Sequence, residues 1–329
     1  MEPKLYEIAP KGDTLLKLHN ANAPFAVTAP SFTFLIGKRL TSASVAGKPE
    51  VQMRLSSRHL TLASAYFEKL MANDWKEATP EGDYSYVINA EDWDEEALCF
   101  LMKIIHGRTA QLPREMKLET LAKMTVLADY YQCQEVVEFF MRTWLQPIDQ
   151  SAISGRDRLL RLAISCVFPD HDAFRKLTKA LITEQPGPVK LSGLPVPQTV
   201  IDAVNAKREK HLLAIVDGLK GLVRDEYSDE GLGCSFTCSS MFLGALSKNI
   251  DSHRLSDRYL VTPYLGHSLV TLKGRIFDFQ EPPWNKICHA NVFGGYGHRC
   301  SLLRGTKPIV ESQIAQVVGL ELEDFIKTS

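Results

Sequence analysis

Ser57-Arg58-His59-Leu60-Thr61-Leu62-Ala63-Ser64-Ala65-Tyr66-Phe67 is the stretch whose reading decides the fold class. Just before it, Val51, Met53 and Leu55 alternate with Gln52, Arg54 and Ser56, the period of a strand with one buried face. The stretch itself predicts two short helices. Ser64 is placed to cap the second of them, with Phe67, Leu70 and Met71 turned inward. Downstream, Tyr84 to Asn89 predicts another strand. Asp92-Trp93-Asp94-Glu95 then reads as a helix start, an acidic cap at Asp92 with Glu three residues later. Leu98, Leu101, Ile104 and Ile105 carry that helix forward and Gly107 stops it. The acids Glu91, Asp92, Asp94, Glu95 and Glu96 fit the positive end of the helix dipole better than a metal or a proton shuttle.

Working outward, Leu118 to Tyr130 and Gln132 to Leu145 predict a helical hairpin closed by Pro147. Toward the N-terminus, Ser31 to Gly37 is β-rich and predicts a strand, followed by a polar loop from Lys38 to Glu50. Residues 1 to 30 read as a weakly structured lead-in interrupted by Pro3, Pro10, Pro24 and Pro30, with Leu15, Leu16 and Leu18 as its apolar cluster. Beyond the small-residue break at Ser151 to Gly155, Arg156 to Phe168 and Asp170 to Ile182 predict two amphipathic helices. The Pro- and Gly-bearing stretch Glu184 to Pro197 reads as a connection, and Thr199 to Val223 as one long helix. From Gly231 to Cys300 the chain turns rich in Cys, Gly, His and aromatic residues, and Pro308 to Ile326 closes with a last helical pattern. Strands interleaved with helices, then mostly helices, predict an α+β domain followed by an α-rich one.

The chain has 329 residues, of which 45% are apolar and 23% charged, enough for about two domains with cores of their own. Lys and Arg number 38 and Asp and Glu 39, so the net charge of -1 offers no global attraction to nucleic acid or an anionic membrane. No apolar run has the length of a bilayer span, and no secretory signal is visible. Seven Cys, an odd number, and no Asn-x-Ser/Thr site predict reduced thiols and a cytoplasmic or nuclear protein. Gly-x-x-x-x-Gly-Lys, Gly-x-Ser-x-Gly, His-Glu-x-x-His and Gly-x-Gly-x-x-Gly are all missing, so the expectation is a protein without enzymatic activity.

The order strand, paired short helices, strand, helix and helical hairpin resembles the BTB/POZ domain. The likeness is carried by His59, Leu60, Ser64 and Phe67, by Tyr84 to His106, and by Leu121 to Cys133. The whole chain also resembles a group of filamentous-fungal BTB proteins through Trp75-Lys76-Glu77, Ile104-Ile105-His106-Gly107-Arg108 and the Cys/His-bearing region from Cys234 to Cys300. The resemblance implies an α+β BTB/POZ domain at 31 to 147, after the lead-in at 1 to 30 and before an α-rich C-terminal domain at 148 to 329. It also implies protein partners: a cullin scaffold of a ubiquitin ligase, a second copy in a homodimer, or both. The alternative is a self-associating or transcription-linked scaffold with no ubiquitin role. No Kelch, MATH or zinc-finger array follows the domain, which departs from the familiar adaptors.

Two motifs carry candidate site residues. Trp75-x-Glu77 stands where cullin-binding BTB domains place an apolar residue and a Glu two positions on, so the resemblance implies a partner contact there. The alternative is a Trp75 that covers the domain core and a solvated Glu77. Cys234-x-x-x-Cys238 and His298-x-Cys300 form two close pairs separated by a long insert, the layout of a structural zinc site, with Cys288 and His289 in reserve. Gly294, Gly295 and Gly297 would permit a tight knuckle at the second pair. A set of buried, inert thiols and a core His is the other reading.

Overall fold

The computed structural model describes residues 3–26, 50–72, 82–148, 155–190, 193–228, 231–284 and 300–326. The chain divides into two compact units, Met1–Ala173 with Leu191–Val196, and Phe174–Lys190 with Pro197–Ser329. The strand expected at Ser31 to Gly37 lies outside the described residues.

The first unit holds a four-stranded sheet made of β1 (Lys4–Glu7), β2 (Thr14–His19), β3 (Val51–Leu55) and β4 (Tyr86–Glu91). Its order is β1-β3-β2-β4. β2 runs antiparallel to β3, pairing Leu16 with Met53, and parallel to β4, pairing Leu16 with Ile88. β1 lies parallel to β3, pairing Tyr6 with Met53. The weakly structured lead-in expected at the N-terminus is therefore corrected: it supplies two strands, one of them central. Leu15, Leu16 and Leu18 are all buried. A central strand covered on both faces does not alternate, so period-2 patterning passes it by.

β3 is the half-buried strand its alternation predicts, with Val51, Met53 and Leu55 inside. α1 (Ser57–Ala63) and α2 (Ala65–Ala72) follow it. Ser64 caps α2, its hydroxyl accepting from Phe67 N at 3.1 Å and donating to the Tyr131 carbonyl. Phe67 is fully buried and stacks on Tyr131 at 4.9 Å between ring centroids. α3 (Glu95–Ile105) starts at Asp94, whose carboxylate accepts from Ala97 N. The cap expected at Asp92 is thus shifted by two residues. Asp92 has a φ of 66° and its carboxylate takes Asn20 Nδ2 at 2.5 Å, so it is spent on the turn before the helix. Gly107 ends α3 as predicted, with a φ of 67° that an L side chain adopts only under strain.

α4 (Leu118–Tyr130) and α5 (Gln134–Leu145) form the helical hairpin, and α6 (Gly155–Val167) packs against α4. One apolar core joins these helices to the sheet, from Leu16 and Met53 through Leu98, Leu101 and Met102 to Leu121, Met124 and Met141. His106 ties two element ends together. Its Nδ1–H donates to Met102 O at 2.8 Å, and its Nε2 accepts from Ser56 N at 2.9 Å, just ahead of α1.

The second unit has helices and no strand among its described residues. It is built from α7 (His171–Glu184, from Phe174 on), α8 (Gln198–Asp225), α9 (Phe236–Ser252), α10 (Leu269–Phe277) and α11 (Leu302–Ala315). The predicted long helix is α8, whose Val200, Ile201, Val204, Leu212, Ile215 and Leu219 are buried. The last helical pattern needs correction: α11 begins at Leu302 and ends at Ala315, with Pro308 inside it. Arg208 of α8 is fully buried. Its guanidinium donates to four carbonyls, those of Gln185, Pro263, Tyr264 and His267, at 2.9, 3.0, 2.8 and 2.6 Å. No helix among the described residues is long and apolar enough to cross a membrane.

Candidate functional site

Three of the four residues expected to hold a metal come together in the second unit. The Sγ atoms of Cys234, Cys238 and Cys300 all lie within 4.8 Å of one another. Cys238 and Cys300 are buried, and Cys234 is partly exposed. Zinc bound tetrahedrally by thiolates at about 2.3 Å sets neighbouring sulfurs about 3.8 Å apart, so the three thiols need only a small inward shift to share one ion. The fourth expected ligand, His298, lies outside the described residues, as do Cys288 and His289.

Local sequence explains the convergence. Ser235 caps α9, and its hydroxyl accepts from Cys238 N, which puts Cys234 just before the helix and Cys238 in its first turn. Cys300 stands two residues ahead of α11. The three sulfurs thus gather at the starts of two helices. Cys234 N donates directly to the Cys300 sulfur at 3.4 Å.

Two carboxylates brace this arrangement, and sequence reading gave no sign of either. Glu226, buried just after α8, accepts from Leu232 N at 2.5 Å and from the Ser239 hydroxyl at 2.7 Å. Gly233 runs so close to α9 that an added Cβ would meet Ser239 Cα at 2.4 Å, which excludes any side chain there. Glu281 accepts from Ser301 Oγ at 2.6 Å, Leu302 N at 3.0 Å, Leu303 N at 3.2 Å and Trp284 Nε1 at 2.9 Å. It thereby replaces the missing side-chain cap of α11. Partial desolvation pushes the Glu281 carboxyl up, but those donors outweigh it and hold the group below the usual glutamate range.

The thiols of the first unit stand in contrast. Cys133 and Cys166 are buried apart from any cluster, and desolvation pushes both thiols up to about 12. Cys99 is raised as well, again chiefly by burial. These three fit the reading of inert core thiols; Cys234, Cys238 and Cys300 do not share their isolation.

The other expected site residues, Trp75 and Glu77, lie outside the described residues. What the first unit does present is an aromatic cluster of Tyr66, Trp93 and Tyr130 over the buried Phe67 and Tyr131. Tyr66 and Trp93 approach Tyr130 at 5.4 and 5.2 Å between ring centroids. Tyr130 is 49% exposed, and Tyr66 and Trp93 are partly so.

A search of curated proteins and a search of solved structures each found no match. The family comparison did. Its matched segment holds β3, α1 to α5 and β4, while β1 and β2 of the same sheet come before it. Residues 43–144, about a third of the chain, match the family model of the BTB/POZ domain, a module of protein–protein interaction and dimerisation.

Proposed function

We propose that this is a non-enzymatic interaction protein whose BTB/POZ domain recruits a cullin ubiquitin-ligase scaffold while its C-terminal unit, folded around a structural zinc ion, holds a client. The observation that carries the reading is the domain match itself, because such domains bind proteins. The half-exposed ring of Tyr130, with the partly exposed Tyr66 and Trp93 against it, supports it, since aromatic side chains dominate the energetics of protein interfaces. Trp75 and Glu77 are the proposed cullin contact, the Trp as an apolar anchor and the Glu as its polar companion. Cys234, Cys238 and Cys300, with His298 as the proposed fourth ligand, would hold zinc. Three soft sulfur donors suit zinc and exclude hard ions such as magnesium or calcium. The proposed compartment is the cytoplasm or nucleus.

The test is a pull-down with a cullin N-terminal domain, comparing the native chain with Trp75→Ala/Glu77→Ala and with Tyr130→Ala. Capture that falls in the double variant supports the adaptor reading. Capture indifferent to Trp75 and Glu77 removes that contact. Failure to capture, combined with a dimer by light scattering, replaces the adaptor with a self-associating scaffold. Less than about half an equivalent of zinc in the purified chain would remove the structural metal.

A further inference from the structure

Glu226 and Glu281 stand behind the thiol cluster in matching ways. Each carboxylate accepts on both of its oxygens: Glu226 takes two donors, and Glu281 takes four, the full capacity of the group. Glu226 spans from Leu232 N, two residues before Cys234, to the hydroxyl of Ser239, the residue after Cys238. It therefore grips the loop on one side of the first thiol and the helix on the far side of the second. The bare backbone at Gly233 lets that loop lie against α9. Glu281 binds Ser301, Leu302 and Leu303, the three residues directly after Cys300. The two sides also meet: the Cys300 thiol points at Leu232 O at 3.8 Å, and Cys234 N donates back to Cys300.

We propose that Glu226 and Glu281 are the positioning residues of the metal centre, each holding one side of the thiol set in place to receive a single thiophilic divalent ion. The proposal rests on the reading of Cys234, Cys238 and Cys300 as metal ligands. The two carboxylates, Glu226 buried and Glu281 at the surface, order the ligand-bearing loops before the metal arrives, so less of the binding energy goes into fixing the backbone. A loop staple with no role in metal binding would give no such effect at the metal.

The test uses the full chain, stripped of metal with a chelator under reducing conditions. It is titrated with cobalt(II), followed by sulfur-to-metal charge-transfer and ligand-field bands, and with zinc in competition with a chromophoric chelator. The native chain takes up one ion with a thiolate spectrum. Glu226→Ala and Glu281→Ala each weaken binding about 10- to 100-fold and change the ligand-field bands, at unchanged far-UV circular dichroism. Glu226→Gln and Glu281→Gln, which keep an acceptor for the amides, recover most of the loss. Alanine variants within about twofold of the native chain, with the native spectrum, overturn the positioning role and leave the metal centre standing. A native chain that takes up no ion overturns both. Should an alanine variant fail to fold, Ser239→Ala and Ser301→Ala, which remove one hydroxyl apiece, decide the matter: each is expected to weaken binding about threefold or more, and unchanged affinity overturns the role of the carboxylate concerned.

Discussion

The two units solve the same problem with different materials. The first packs a continuous apolar core between a small sheet and a layer of helices, and apart from the buried Arg158 and Arg161 of α6, the latter paired with Asp170, its polar groups work mainly at element ends, as Ser64, Asp94 and His106 do. The second relies more on polar hubs, buried at Arg208, Glu226 and Asn249 and exposed at Glu281. Arg208 gathers four carbonyls, Glu226 and Glu281 hold the starts of α9 and α11, and Asn249 links Ala245 O to the backbone of Gln280. The cysteines follow the same division, isolated and apolar in the first unit, clustered at helix starts in the second. A unit held by apolar contacts loses stability in proportion to the volume removed. One held by a few polar hubs loses it abruptly when a hub is removed, because each orphaned partner stays desolvated.

The sharpest way to break this comparison is at the hubs. Arg208→Met should cost about 4 kcal/mol or more, since four buried carbonyls lose their donors at about 1 to 3 kcal/mol each before water relieves them. Hydrogen exchange should show the loss in peptides from α8 and the segment around Tyr264. A cost below about 1 kcal/mol would mean that Arg208 is not a hub. The counterpart in the first unit is Phe67→Ala, which should cost about 3 to 5 kcal/mol in urea unfolding through the cavity it leaves beneath Tyr131.

Thiol labelling sharpens the contrast further. In the presence of a chelator, Cys234 should alkylate first, being the partly exposed member of its cluster, while Cys133 and Cys166 stay unlabelled until the chain unfolds. Peptide mapping by mass spectrometry reads the order. Equal rates at Cys133 and Cys234 would erase the distinction between the two sets.

The smallest effect concerns pH. Burial lowers the His106 pKa, and the neighbouring His59 adds to this against the bond to Met102 O. The unfolded chain, with a histidine near about 6.5, then binds more protons than the folded one as pH falls. The stability tied to neutral His106 is fully present above that unfolded value. It is lost as pH falls from there through the lower folded value, because a protonated Nε2 no longer accepts from Ser56 N. Thermal melts between about pH 7.5 and 5.5 should show this decline, and His106→Asn should flatten it in exchange data for α1. His267 in the second unit is shifted the same way, by burial and then by Arg275 and Arg208, so its own acid loss should persist in that variant.

Much of the first unit was legible. β3, the paired short helices, Ser64 as a cap, α3 with its glycine stop and the α4–α5 hairpin all follow from period, cap and stop residues, because each depends on neighbours a few positions away. β1 and β2 were not, since prolines nearby mask them and β2 is covered on both faces. The α3 cap moved from Asp92 to Asp94 because Asn20, far away in sequence, takes the first carboxylate. The thiol trio was legible as two spaced pairs. Glu226 and Glu281 were not, since a carboxylate that accepts from backbone amides reads in sequence like any other acid.

The amino-acid sequence by itself determined the order of elements from β3 to α5, the match of residues 43–144 to the BTB/POZ domain model and the residue types available for a metal. These are local properties of period, capping and composition. Only the tertiary structure decided that Cys300 would stand beside Cys234 and Cys238, and which two carboxylates would hold them there. Cys234 and Cys300 are 66 residues apart, Glu281 and Leu302 21, and Glu226 and Ser239 13, and at such separations a pairing is chosen by the closure of the whole chain rather than by any local preference.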